Sequence, residues 1–235
     1  TIMKKFFTLI AAVAMAASVN AQGTYAVAEG DAVTAGDQIT SVANVTLTYM
    51  ENAGTAFAVG KATGNWADAD FTAYVCGKNN GKLVSEAEPT GCVYKFETAK
   101  AGSLTVAIQL NATKGLHVLG SDFTEVSLAS YNLPGAKDAA SQELTKNEKD
   151  ENIVAAKSNG TVTIDVAAGG TYYVLAAGTK LGFYGFKFKE GVTNGITSVN
   201  ANAASKSSDI YNLAGQKVSG SYKGIVIKNG KKYMK

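Results

Sequence analysis

The residues whose types and spacing suit chemistry are few. Trp66 sits in Gly64-Asn65-Trp66-Ala67-Asp68-Ala69-Asp70, a polar stretch that reads as a loop. An indole face takes the C–H side of a pyranose ring, and the neighbouring Asn65 amide and Asp68 and Asp70 carboxylates take its hydroxyls. This stretch is therefore the first candidate for a sugar site, on the kind of segment where binding groups concentrate. The plainer role for a sole Trp is to cap a core, because Trp is highly buried on average. Tyr131 and Asn132, ahead of Pro134-Gly135, form a second aromatic and amide pair of the same kind. Asp68 with Asp70, and Glu86 with Glu88, are carboxylates at spacing two. On a strand such a pair shares one face, where it can ligate Ca²⁺ or, at the right separation, serve as a glycosidase pair; in a solvated loop it does neither. No cofactor is expected, and a structural Ca²⁺ is the one metal these residues would suit.

His117 is the single histidine and lies in Leu116-His117-Val118-Leu119, which reads as a strand. Without a visible Ser or Asp partner it is expected to be structural, not catalytic. One His and two Cys fall short of the four N or S donors of a structural zinc site. The chain has no Arg, so the bidentate fork favoured for phosphate and DNA is missing, and no nucleic-acid partner is expected. Lys114 and Lys180 read by themselves as ordinary strand-edge lysines. Cys76 and Cys92 have fifteen residues between them. In an oxidising compartment they could close a loop worth ~3 kcal/mol; equally, they are two unrelated buried thiols, and the sequence leaves both open.

The elements that must position these groups are strands. Apolar residues alternate at Val45, Leu47 and Tyr49, at Leu104, Val106, Ile108 and Leu110, and at Val162, Ile164 and Val166. The residues between them are Thr, Gln, Asp or Ala, as a half-buried strand requires. Tyr94 and Phe96 form a shorter version. Near the end of this region, Val162 to Val166, Tyr172 to Ala176 and Leu181 to Phe188 are separated by the Gly-containing turns at 168–170 and 177–179, predicting a strand, turn, strand, turn, strand finish. Asn79-Asn80-Gly81, between Tyr74 and Leu83, reads as a hairpin turn. Residues 138–150 are polar without an apolar stripe and read as an exposed loop. Tyr172, Tyr173, Phe183, Tyr184, Phe186 and Phe188 are dense enough to be mostly core.

Of the 235 residues 46% are hydrophobic and 17% charged, the balance of a packed globular chain. Met3-Lys4-Lys5, the apolar run Phe6 to Ala17 and Val19-Asn20-Ala21 have the pattern of a secretory signal peptide. Residues 1–21 are accordingly expected to be a signal peptide, 22–192 a β-sandwich domain, 193–208 a small-residue linker and 209–235 a C-terminal β module. The apolar run is too short to span a bilayer, so no membrane span is expected once the signal is cleaved. Residues 22–199 carry 13 Lys against 18 acidic residues, whereas residues 200–235 carry 7 Lys against Asp209 alone. The net +3 of the chain therefore belongs to its two ends, and the sandwich itself is acidic.

Two stretches bear a family resemblance. Ile210-Tyr211-Asn212-Leu213-Ala214-Gly215-Gln216-Lys217-Val218, then Lys223-Gly224-Ile225-Val226-Ile227-Lys228-Asn229-Gly230-Lys231-Lys232 and Lys235, resembles the C-terminal sorting domains of type IX secreted bacterial proteins. It departs from them at Val226, where an aromatic is frequent, and in ending on Tyr233-Met234. The resemblance implies export, with the secretion machinery as a partner of the tail. Tyr94 to Leu110, Lys114-Gly115-Leu116, Gly170-Thr171-Tyr172-Tyr173-Val174 and Gly178 to Phe186 resemble the galactose-binding-like β-sandwich modules appended to pectate lyases. That likeness implies an all-β fold of jelly-roll type. It also implies a secreted or surface-attached, non-catalytic carbohydrate-binding module, with a polysaccharide or glycan as partner. A structural adhesion protein that binds other proteins is the alternative, and a polysaccharide lyase or hydrolase the third. The acidic sandwich favours neutral glycans over anionic polymers.

Overall fold

The computed structural model describes residues 22–61, 68–191, 210–212, 217–218, 223–228 and 231–234. Asn65, Trp66, the signal segment, the linker and the Asn229-Gly230 turn lie outside them. The chain divides into two compact units, 1–192 and 193–235.

In the first unit the strands run β1 (Gln22–Ala26), β2 (Gln38–Ile39), β3 (Val45–Met50), β4 (Ala58–Lys61), β5 (Ala73–Cys76), β6 (Lys82–Val84), β7 (Ala87–Thr90) and β8 (Val93–Thr98). They continue as β9 (Gly102–Leu110), β10 (Gly115–Leu119), β11 (Ser130–Asn132), β12 (Thr145–Lys146), β13 (Asn152–Ile153), β14 (Ser158–Val166), β15 (Gly170–Ala177) and β16 (Gly182–Glu190). One seven-stranded sheet has the order β11-β14-β9-β16-β5-β4, with β1 also paired to β16; the other, also seven-stranded, runs β12-β13-β10-β15-β8-β3-β2. All their ladders are antiparallel, and the fold is an all-β sandwich. Among the described residues there is no helix, and so none long and apolar enough to cross a membrane. The second unit is a four-stranded sheet of β17 (Ile210–Asn212), β18 (Lys217–Val218), β19 (Ile225–Lys228) and β20 (Lys231–Met234), ordered β18-β17-β19-β20.

The inward residues of both sheets form one core, and aromatic rings join them. Tyr94 of β8 stacks on Phe183 of β16 at 4.6 Å between centroids, and Phe96 meets Phe186 edge-on at 5.3 Å. Such pairs add about 0.5–1.5 kcal/mol each beyond area burial. The Tyr94 hydroxyl is satisfied by donating to the Leu181 carbonyl at 2.7 Å, so its burial costs little.

Phe183 and Phe186 are three residues apart and both face the core, which a regular strand forbids. A bulge between Phe183 and Gly185 resolves this by inserting Tyr184. Gly185 takes φ 148°, and a Cβ there would lie 2.2 Å from the Tyr25 carbonyl. Past the bulge β16 changes neighbour, from β5 at Phe183 to β1 from Gly185 onward. Tyr184 is thereby turned to the outer face, where it packs with Phe71, Ala107 and Tyr74 in a small cluster of its own.

The expected hairpin at Asn79-Asn80-Gly81 is not formed. β5 pairs with β4 and β16, while β6 pairs with β7. The backbone of Gly81 bonds instead to the turn after β15, through Gly81 N–H to Thr179 O (2.8 Å) and Gly178 N–H to Gly81 O (3.0 Å). Glu51 meanwhile accepts from the Asn79 N–H (3.0 Å) and side-chain amide (2.6 Å). The polar turn residues are spent on long-range ties, and these draw residues 77–81 against the β15–β16 connection. Residues 138–150 form an irregular segment broken only by β12, as their polarity predicts.

Candidate functional site

Those ties build the edge of an open cleft of about 420 Å³. Its floor is the outer face of the first sheet. Alternation along β5 sends Ala73 and Val75 into the core and Tyr74 outward, and along β9 the same rule places Gln109 on the face of Ala107. The Tyr74 ring lies across two glycines. A Cβ on Gly60 would come within 2.3 Å of its Cζ, and one on Gly182 within 3.3 Å of its Cδ2. Side chains at those positions would lift the ring, so Gly60 and Gly182 hold it flat against the sheet.

Around the ring stand Asn80, Gln109, Asn111, Thr179 and Lys180. The amides are braced. Gln109 Nε2 donates to Asn159 Oδ1 at 3.0 Å, and Asn111 Nδ2 donates to Thr179 Oγ1 at 3.2 Å. Each amide keeps further donor and acceptor capacity for a ligand. Behind the ring, the Tyr184 hydroxyl is buried beside Gln109 without a well-formed hydrogen bond; burial pushes its pKa up to about 12, with Gln109 opposing. Among the described residues lining the cleft, Lys180 is the one charged side chain and no carboxylate joins it. Cys76 also lines the cleft, and Cys92 lies behind it in the core; both are free thiols. A second cleft of about 430 Å³, at Thr40–Thr46 and Gly169–Thr171, has no aromatic residue in its lining.

Of the described residues singled out in the sequence, Cys76 and Lys180 line this cleft, and the carboxylate pairs, Tyr131 and Asn132 do not. Asn65 and Trp66 lie outside the described residues. Asp68 and Asp70 instead grip the Lys187 ammonium, Asp68 in a short ion pair and Asp70 at 2.8 Å. Burial acts against the Lys187 charge, but the two carboxylates outweigh it and hold its pKa above the ordinary value. Tyr131 and Asn132 are exposed on the edge strand β11, two strands from β9. Glu86 sits at the β6–β7 turn, and Glu88 accepts from the Tyr173 hydroxyl at 3.0 Å. Among the described residues no cluster of three metal-ligating side chains is formed. Lys114 lies in the turn before β10, outside the cleft, whereas Lys180 is part of it.

His117 does have partners, and they come from far along the chain. Its Nδ1 meets Glu125 in a short contact, and its Nε2 faces Glu151 Oε1 at 3.4 Å. Burial disfavours the charged ring, but the two carboxylates prevail and raise its pKa above the ordinary value. Each ring nitrogen is turned to a carboxylate, and in its protonated form the ring bonds both and clamps the 120–126 and 147–151 loops.

Tyr74, Gln109 and Asn111 were the residues sequence reading missed. Gln109 looked like one more polar residue alternating along a strand. The signal for Tyr74 is an aromatic on the outward phase of a strand, with Gly60 facing it on β4 and Gly182 close by on β16. No family model matches the chain, and no curated protein matches it. Among solved structures the chain is similar to a cleaved adhesin domain of Lys-gingipain from Porphyromonas gingivalis, at 11% identity and a TM-score of 0.31, across 68% of this chain and 97% of that one.

Proposed function

We propose that this chain is an exported, non-catalytic glycan-binding module whose sugar site is the cleft over Tyr74. The supporting observation is the gathering of one flat-held aromatic ring with the Asn80, Gln109 and Asn111 amides, Thr179 and Lys180 on a single open face. A pyranose ring is amphipathic in the matching way, with C–H groups for the tyrosine and hydroxyls for the amides. Glycosidic cleavage by the usual route needs two carboxylates flanking the bond, and the described lining supplies none, which supports retention of a sugar over its hydrolysis. The net acidity of residues 22–199 favours neutral glycans, with Lys180 as the local donor. Export to the extracellular side rests on the N-terminal segment and the sorting-like tail.

A glycan array probed with the full chain, Gln109→Ala and Asn111→Ala tests this. The expected result is a defined set of bound glycans, with each variant about tenfold weaker, the worth of one or two hydrogen bonds, and with the fold retained in circular dichroism. Failure to retain any glycan, or retention at full strength by both variants, would contradict it.

A further inference from the structure

At the end of the cleft the two sheets come together through Cys76, the last residue of β5, and Cys92, the residue before β8. The chain next to Cys76 is pressed on Cys92. Gly77 N–H donates to Cys92 Sγ at 3.2 Å, and a Cβ on Gly77 would stand 2.9 Å from Cys92 Cβ. Cys92 N–H in turn donates to Asn79 O at 3.3 Å. The loop of residues 77–91, which carries Asn80 and the β6–β7 hairpin, is thus already closed at its base by backbone contacts. Its two thiols belong to opposite sheets.

We infer that Cys76 and Cys92 are oxidised to an intrachain disulfide that fastens the two sheets together beneath the cleft. The inference stands apart from glycan binding and needs only a small disulfide as oxidant. Cys76 lines the cleft and meets that oxidant first: its sulfur attacks one oxidant sulfur, its proton is lost, and one thiol leaves. Cys92 then attacks the Cys76 sulfur, closing the intrachain bond and releasing the second thiol. Two electrons and two protons pass from the pair to the oxidant. Cys92 is suited to the second role. In the mixed disulfide Cys76 has no proton left to donate, and the Gly77 N–H at 3.2 Å remains to favour the Cys92 thiolate against its burial. In the reduced pair Cys92 pushes the Cys76 thiol upward, which makes the first exchange the slow step.

The loop already being closed, oxidation asks for side-chain rotation and little backbone movement, so its effect falls on the unfolded chain. The full chain, purified reduced and then equilibrated with glutathione disulfide, is expected to lose two hydrogens by intact mass and to resist alkylation without denaturation or reduction. Its melting temperature should rise by about 5–10 °C over the reduced form. Cys92→Ser should instead gain one glutathione at Cys76, while Cys76→Ser, its remaining thiol buried, should stay unmodified. Two alkylatable thiols after equilibration, or a disulfide found only between chains, would overturn the inference.

Discussion

Tyr74 owes its place to residues without side chains. Gly60 and Gly182 leave room for its ring, so Gly60→Ala should displace the ring and weaken glycan binding by about tenfold or more, with the secondary structure retained in circular dichroism. His117 makes a different kind of prediction. Its pKa is raised in the folded protein, so its clamp contributes fully below the unfolded value of 6.5 and is lost as pH rises through the folded value. The melting temperature of the wild type should therefore exceed that of His117→Gln by more at about pH 6 than at about pH 9. A gap that does not narrow with rising pH would exclude the clamp. In the sequence His117 looks solitary because Glu125 and Glu151 stand 8 and 34 positions away. Its structural role was legible; its partners were not. The same holds for Asp68 and Asp70: their pairing was visible, but Lys187, 119 positions from Asp68, was needed to show what they hold.

Strands were the most legible elements. The alternating runs at Val45–Tyr49, Leu104–Leu110 and Val162–Val166 fall within β3, β9 and β14, and the strand, turn, strand, turn, strand finish is β14, β15 and β16. The reason is physical, since each of these strands buries one face and must alternate. Three things broke the local rules. Residues 79–81 have turn chemistry but spend it on Glu51 and Thr179, so the chain crosses instead of folding back. The bulge at Tyr184 shifts the phase of β16 and is set by Gly185 against Tyr25, a contact no local pattern announces. The cleft itself draws on four strands and three connections, and its residues become neighbours only through pairing. Gly185→Ala should cost about 2–4 kcal/mol in denaturant unfolding, through the positive φ and the clash together. Phe183→Ala, which removes a ring shared by Tyr25, Tyr49, Tyr94 and Phe96, should cost about 3–5 kcal/mol. A Gly185 variant as stable as the wild type would show that the bulge is not constrained as described.

Across the whole molecule, charge and cleft belong to different units. The basic excess sits in residues 200–235, whereas every residue lining the cleft falls within 1–192. A chain ending at residue 192 should therefore fold and bind the same glycans within about twofold, as expected of a unit with its own core. Loss of binding on that truncation would place part of the site in the tail. The most direct test of the cleft is a two-dimensional amide spectrum of the full chain titrated with a glycan retained on the array. The side-chain amides of Asn80, Gln109 and Asn111, and the backbone of residues 179–182, are predicted to shift together along one binding curve. Shifts centred instead on Asn65 and Trp66, or on Tyr131 and Asn132, with the cleft amides unmoved, would contradict the assignment.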